Sequence, residues 1–149
     1  MTISIQNTIV NSIKTTLESI TVANGYQTNI ASVKRGIRSI EDFEGNLPGI
    51  SLWKYRNNRE DSYQPGSESR LILRAWGYVE CEPMQDDYDA LDKLVADVEK
   101  VLMSSTHNSA YYTNTFINDT SFYEGGSGMN FGIFEMEFEI SYFYNFGTS

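Results

Sequence analysis

Cysteine, histidine and proline are scarce in this chain of 149 residues, which holds one, one and three of them. A lone cysteine, Cys81, cannot close an internal disulfide, so the chain fits a reducing compartment. With His107 as the single histidine, a two-histidine metal site is excluded, and a Ser-His-Asp arrangement would have to draw its base from a polar loop beside Ser104, Ser105 and Ser109. Positive charge is also in short supply: 11 Lys and Arg stand against 20 Asp and Glu, a formal net charge of -9. Such a surface repels phosphates, which argues against a protein that grips nucleic acid. No run approaches the roughly 18 apolar residues of a membrane span. The first residues lack a basic stretch followed by a continuous apolar block, so a soluble, intracellular protein without a secretory leader is expected.

What is present is aromatic and strongly patterned. Ten tyrosines and eight phenylalanines allow two readings: a β-rich core with tyrosine hydroxyls at its rim, or aromatic contacts between chains. From Phe131 to Tyr144 the chain alternates. Phe134, Met136, Phe138, Ile140, Tyr142 and Tyr144 point one way and Glu135, Glu137, Glu139 and Ser141 the other, the period of a strand with one apolar face. At about 3.3 Å per residue it would reach roughly 45 Å, so it is expected to project beyond the domain or to bend near Gly132.

The remaining elements follow in order. Ile5, Ile9, Val10, Ile13, Leu17 and Ile20 form the stripe of an amphipathic helix, capped at its start by Thr2 or Ser4 and at its end by left-handed Asn24-Gly25. Tyr26 to Val33 reads as extended and leads to Lys34, Arg35 and Arg38, a small basic cluster that is either a solvated patch or a docking patch for an acidic partner. Asp42 to Asn46 reads as a polar turn, and Leu47-Pro48-Gly49 leads into a strand, Ile50 to Tyr55. Arg56 to Ser69 reads as a long polar loop with nothing to bury, its Arg56, Arg59, Glu60, Asp61 and Tyr63 available for contacts.

Arg70 to Glu80 is apolar on both faces and belongs inside a sheet, beside the C-terminal strand. Asp86, Asp87 and Asp89 open a second helix with Tyr88, Leu91, Leu94, Val95, Val98, Val101 and Leu102 on one face and Lys100 in its last turn. A polar linker, 104–110, precedes one or two strands in Tyr111 to Tyr123, broken around Asn118-Asp119, and Gly125 to Gly128 turns into the final strand. The expected fold is one α+β domain spanning 1–149, a mainly antiparallel β-sheet covered on one face by two amphipathic helices.

Chemistry is harder to find. Cys81 has no basic neighbour to make it a nucleophile. The aspartates at 86, 87, 89 and 92 lack the glycine and terminal glutamate of a calcium loop, and the glycines at 125–128 lead into a strand instead of a phosphate-cradling helix. Glu135, Glu137 and Glu139 lie roughly 7 Å apart and repel one another. Without an aromatic sugar platform on their face they read as a solvent-facing stripe, or one turned to a partner or a lumen. No catalytic, metal or cofactor site is expected.

The order and spacing of these pieces resemble the tail terminator or tail completion proteins of tailed bacteriophages. The resemblance runs through the first helix, Gly25-Tyr26-Gln27-Thr28, Val33-Lys34-Arg35, Leu47-Pro48-Gly49-Ile50, Arg70-Leu71-Ile72-Leu73, Gly77-Tyr78-Val79, the helix from Asp89 to Glu99 and the long last strand. The Tyr and Phe content of the final region and its Gly-Ser-Gly turn depart from that pattern. The resemblance implies a virion protein at the tail-neck junction, assembled in the bacterial cytoplasm. It would form a homo-hexameric ring on the tail tube protein, end tube polymerisation and dock head-completion or connector proteins, with sheath as a neighbour in a contractile tail. DNA would pass without specific binding, and Glu135, Glu137 and Glu139 would line the lumen. The alternatives are a head-tail connector or stopper, another structural tail component, or a small cytosolic enzyme.

Overall fold

The computed structural model describes residues 5–59, 67–80, 89–103, 114–124 and 131–144. Their centre is a pair of equally long strands, β3 (Ser67–Glu80) and β5 (Phe131–Tyr144), antiparallel and in unbroken register from Ser67 opposite Tyr144 to Glu80 opposite Phe131. Each strand gives the other a partner along its whole length, so the predicted overhang of β5 is absent.

Around this pair stand β2 (Gly49–Arg59), β1 (Ser32–Arg35) and β4 (Asn114–Glu124), in the order β1-β2-β3-β5-β4. Only β1 runs parallel to its neighbour, β2. The sheet is therefore mixed but mainly antiparallel, and the α+β architecture is as expected.

Helices α1 (Ile5–Glu18) and α2 (Asp89–Met103) lie on one face. They bring Ile9, Ile13 and Leu17, and Leu91, Leu94 and Val98, against Leu71, Leu73, Phe134, Met136 and Phe138, all at most 1% exposed. Burial of such side chains contributes about 1.5–3 kcal/mol each, so this layer holds the fold. Gly77 of β3 belongs to it: the Phe134 ring lies where a side chain would go, and an added Cβ would come within 2.0 Å of Cε1. A glycine inside a strand commonly marks such a close approach.

Four local expectations change. The loop read over 56–69 is instead largely strand: Arg56–Arg59 and Ser67–Ser69 extend the β2–β3 hairpin, leaving 60–66 outside the described residues. Its polar residues are accommodated because backbone pairing needs no apolar side chain. Asn57 also accepts a hydrogen bond from the Tyr142 hydroxyl at 3.1 Å, and Ser69 is 1% exposed. Gly25 is left-handed, with φ of 93°, but it closes a short 3-10 helix, Val22–Asn24, and α1 already ends at Glu18. The polar turn around Asp42 is a 3-10 helix, Ile40–Phe43, whose Phe43 is fully buried. The break in β4 is a bulge between Ile117 and Asp119 within one strand.

Among the described residues, no helix is long and apolar enough to cross a membrane. The proposed caps Thr2 and Ser4, the helix residues Asp86, Asp87 and Tyr88, the linker 104–110 and the turn at Gly125 to Gly128 lie outside the described residues.

Candidate functional site

Strand alternation sends Leu71, Leu73 and Ala75 to the helices, so Ile72, Arg74, Trp76 and Tyr78 must face the other way. On β5 the same rule turns Ile133, Glu135, Glu137 and Glu139 to that second face. Register then pairs opposites: Trp76 with Glu135, and Arg74 with Glu137. The Trp76 indole N–H donates to Glu135 Oε2 at 2.9 Å, and the Arg74 guanidinium donates to Glu137 Oε1 at 3.2–3.3 Å.

Strand β2 adds aromatics. Trp53 meets Trp76 edge to face with centroids 5.0 Å apart, and Arg74 lies 3.5 Å from the centre of the Tyr55 ring. Glu135 and Glu137 therefore each meet a partner on β3, which relieves the mutual repulsion expected of a bare acidic stripe. The expectation that their face has no aromatic platform is also corrected, because Trp53, Tyr55 and Trp76 stand there. Period two in β3 signalled Arg74 and Trp76, but only the β3–β5 register shows which glutamate each one meets.

One end of this face is roofed by the segment between β1 and β2. Phe43 packs on Tyr78, ring centroids 5.4 Å apart, over Gly49, and the Tyr78 hydroxyl donates to the Arg38 carbonyl at 2.6 Å. Burial pushes the Tyr78 phenol above its ordinary value of 10.0, so at neutral pH it is a protonated hydrogen-bond donor. Beside the roof is an open depression of about 260 Å³ lined by Trp76, Tyr78, Ile133 and Glu135.

The basic cluster is divided. Alternation along β1 puts Lys34 and Arg35 on opposite faces: Lys34 donates to the Asp42 carbonyl at 2.7 Å, whereas Arg35 reaches Asn7 and Asn11 of α1 at 3.2–3.3 Å. Arg38 is exposed and donates to the Arg35 carbonyl. Arg56 is exposed on β2, and Arg59 lies at its end, paired through its backbone with Ser69. Glu60, Asp61 and Tyr63 lie outside the described residues, as do Cys81 and His107.

A third polar centre went unread in the sequence. Asp97 of α2, 2% exposed, accepts hydrogen bonds from the backbone N–H of Gln27 at 3.0 and 3.1 Å, from that of Thr28 at 2.8 Å, and from the Thr28 hydroxyl at 2.6 Å. The available signal was an aspartate beside Val98 and three residues after Leu94, on the stripe that faces inward. Asp89, by contrast, pairs with Lys93 at 2.8 Å along the helix surface. Among the described residues no cluster of His, Cys, Asp and Glu could hold a metal ion. The arrangement offers aromatic area, a fixed ion pair and, among the described residues, strand edges without a strand partner, which suit binding.

No protein-family model matches this chain, and no curated protein sequence matches it. Among solved structures it is similar to a chain of the virion of a native gene transfer agent particle, with a TM-score of 0.59 and 10% identity. The likeness covers 91% of this chain and 95% of that one, and at such low identity it establishes a shared fold.

Proposed function

We propose that this chain is a structural component of a phage-like virion, and within that class a tail terminator: a ring on the head-proximal end of the tail tube that stops its growth and receives the neck. The observation that carries the reading is fold likeness along nearly the whole length of a gene transfer agent virion chain. The sequence resemblance to tail terminators points the same way. A ring of identical subunits needs a heterologous interface that closes by rotation, and a sheet with two outer strands has an unlike edge at each end.

In this role no bond is made or broken. The net charge of -9 suits a passage through which DNA slides without sticking, and Glu135, Glu137 and Glu139 are its proposed lining. Arg56 and Arg59 of β2, with Glu60, Asp61 and Tyr63 that follow them in the sequence, are the proposed grip on tube or neighbour. Lys34, Arg35 and Arg38 are the proposed docking patch, with Arg38 its exposed member.

Electron microscopy of the purified chain mixed with tail tubes tests the assignment. Rings capping one end of the tubes are expected. Rings that bind only capsid portals would replace the terminator with a connector or stopper, and a chain that binds neither would end the virion reading. Within the ring, Glu139→Lys should slow DNA passage with assembly intact, and unchanged passage would remove the glutamates from the lumen.

A further inference from the structure

The open depression of about 260 Å³ beside the Phe43 roof has walls of one chemistry with one exception. Trp76, Tyr78 and Ile133 present ring and alkyl surface, and Glu135 brings a carboxylate. The donors of the aromatic walls are already engaged: the Trp76 indole N–H donates to Glu135 Oε2 at 2.9 Å, and the Tyr78 hydroxyl donates to the Arg38 carbonyl at 2.6 Å. What is left to meet a ligand is the second carboxylate oxygen, Glu135 Oε1, which has no hydrogen-bond partner among the described residues. The bond from Trp76 also holds this carboxylate in place, and Trp76 is itself braced edge to face by Trp53, centroids 5.0 Å apart. A site built in advance in this way binds without a further ordering cost.

A group suited to these walls is apolar along most of its length and carries positive charge and N–H donors at its end. Arginine meets both conditions, because its stem packs on apolar surface while its planar guanidinium stacks on aromatic faces and donates to carboxylates. A lysine ammonium is more strongly hydrated and has no plane to stack.

The neighbouring arginines of this chain are engaged elsewhere. Arg74 is bound to Glu137 and lies against Tyr55, and Arg38 turns its Nε to the Arg35 carbonyl at 3.2 Å. Charge also decides between partners. Glu137 and Glu139 continue the same face, Asp119 of β4 stands opposite Glu137, and the whole chain has a formal net charge of -9. A surface of that sign attracts a basic partner and repels another copy of itself.

We propose that the depression receives an arginine side chain from a basic partner protein, its guanidinium lying against Trp76 and donating to Glu135 Oε1. The assignment goes beyond the terminator reading and does not depend on ring formation. It gives Glu135 a contact to make and leaves Glu137 and Glu139 as the proposed lining of the passage.

Nuclear magnetic resonance of the isotope-labelled full-length chain tests this, with an acetylated and amidated Gly-Ser-Arg-Ser-Gly peptide as the probe. The Trp76 indole N–H reports the contact, and Trp53→Phe identifies which of the two indole signals belongs to it. A shift that saturates at about 1–10 mM peptide is expected for one side chain in one pocket. Replacing the arginine with citrulline, which has its shape without its charge, should weaken binding about tenfold. Glu135→Gln, which places an amide N–H₂ before the guanidinium, should do the same. Glu139→Gln should change affinity less than about twofold, because four residues of strand put it about 13 Å away, beyond the screening length of about 10 Å. Circular dichroism checks that the variants remain folded. No saturable shift at Trp76, equal binding of the citrulline peptide, tighter binding of the lysine peptide, or equal losses in the two glutamate variants would overturn the proposal. Free arginine binding more tightly than the peptide would make this a small-molecule site, and self-association abolished by Glu135→Gln in sedimentation would put a second copy there. Either result would overturn the assignment to a partner protein.

Discussion

Replacing Asp97 should cost this protein more stability than replacing any exposed carboxylate. The side chain leaves α2 at a buried position and accepts from two backbone N–H groups and one hydroxyl at 2.6–3.1 Å, all from the connection between α1 and β1. A hydrogen bond to a charged group contributes about 1.5–3 kcal/mol. Three donors would suggest roughly 4–9 kcal/mol, but water can reach exposed Gln27 and half-exposed Thr28 once the carboxylate is gone. For Asp97→Ala we therefore expect a loss of about 3–5 kcal/mol, near 10 °C in melting temperature for a chain of this size. Asp97→Asn keeps one acceptor but sets an amide N–H₂ against a backbone donor, so roughly half that loss is expected.

Thermal and urea unfolding followed by circular dichroism give the magnitude, and hydrogen exchange gives the location. Faster exchange should be concentrated at Gln27, Thr28 and their neighbours before it reaches the sheet. In a double-mutant cycle, Asp97→Ala and Thr28→Ala should be strongly non-additive, because each removes the other's partner. A melting temperature for Asp97→Ala within about 2 °C of the parent would refute the reasoning, since it would mean a loss of under about 1 kcal/mol.

Gly77→Ala should destabilise by about 1–3 kcal/mol because its Cβ meets the Phe134 ring, and adding Phe134→Leu should recover part of that loss in urea unfolding. Tyr78 supplies a pH prediction: its folded value is raised, so its contribution is present in full below the unfolded value of 10.0 and is lost as pH rises through the folded one. Melting temperatures measured upward from pH 9 should therefore fall less steeply for Tyr78→Phe, and parallel curves would contradict the burial of the phenol. Arg74→Met should lower stability by only about 1 kcal/mol, because the half-exposed Arg74–Glu137 pair is screened by solvent and the methionine retains packing on Tyr55. A loss several times larger in urea unfolding would show the pair to be better shielded than its exposure indicates.

Periodicity was enough for the elements that bury an apolar stripe. α1, α2, β3 and β5 could be placed because each must hide one face, and their residue patterns carry periods of 3.6 or 2 that survive without neighbours. The one-sided helical cover over a mainly antiparallel sheet follows from the same patterns. Residues whose place depends on a partner remote in the chain were misread or missed. Arg56–Arg59 looked like loop because strand pairing there is made by backbone and by Tyr142, 85 residues away from Asn57. Phe43 sits among polar residues and is buried only because a 3-10 helix lays it over Gly49 and Tyr78.

The composition and local pattern of the chain determined its fold class, its acidic surface and the alternation that puts three glutamates on one side of β5. Register and sheet order, which arise from contacts among strands distant in sequence, decided the rest. They joined Glu135 to Trp76 and Glu137 to Arg74, carried Lys34 to the Asp42 carbonyl and Arg35 to α1, and made β1 and β4 the outermost strands of the described sheet. A pleat has two sides that any single strand can declare, but which residue stands opposite is a property of the folded sheet alone.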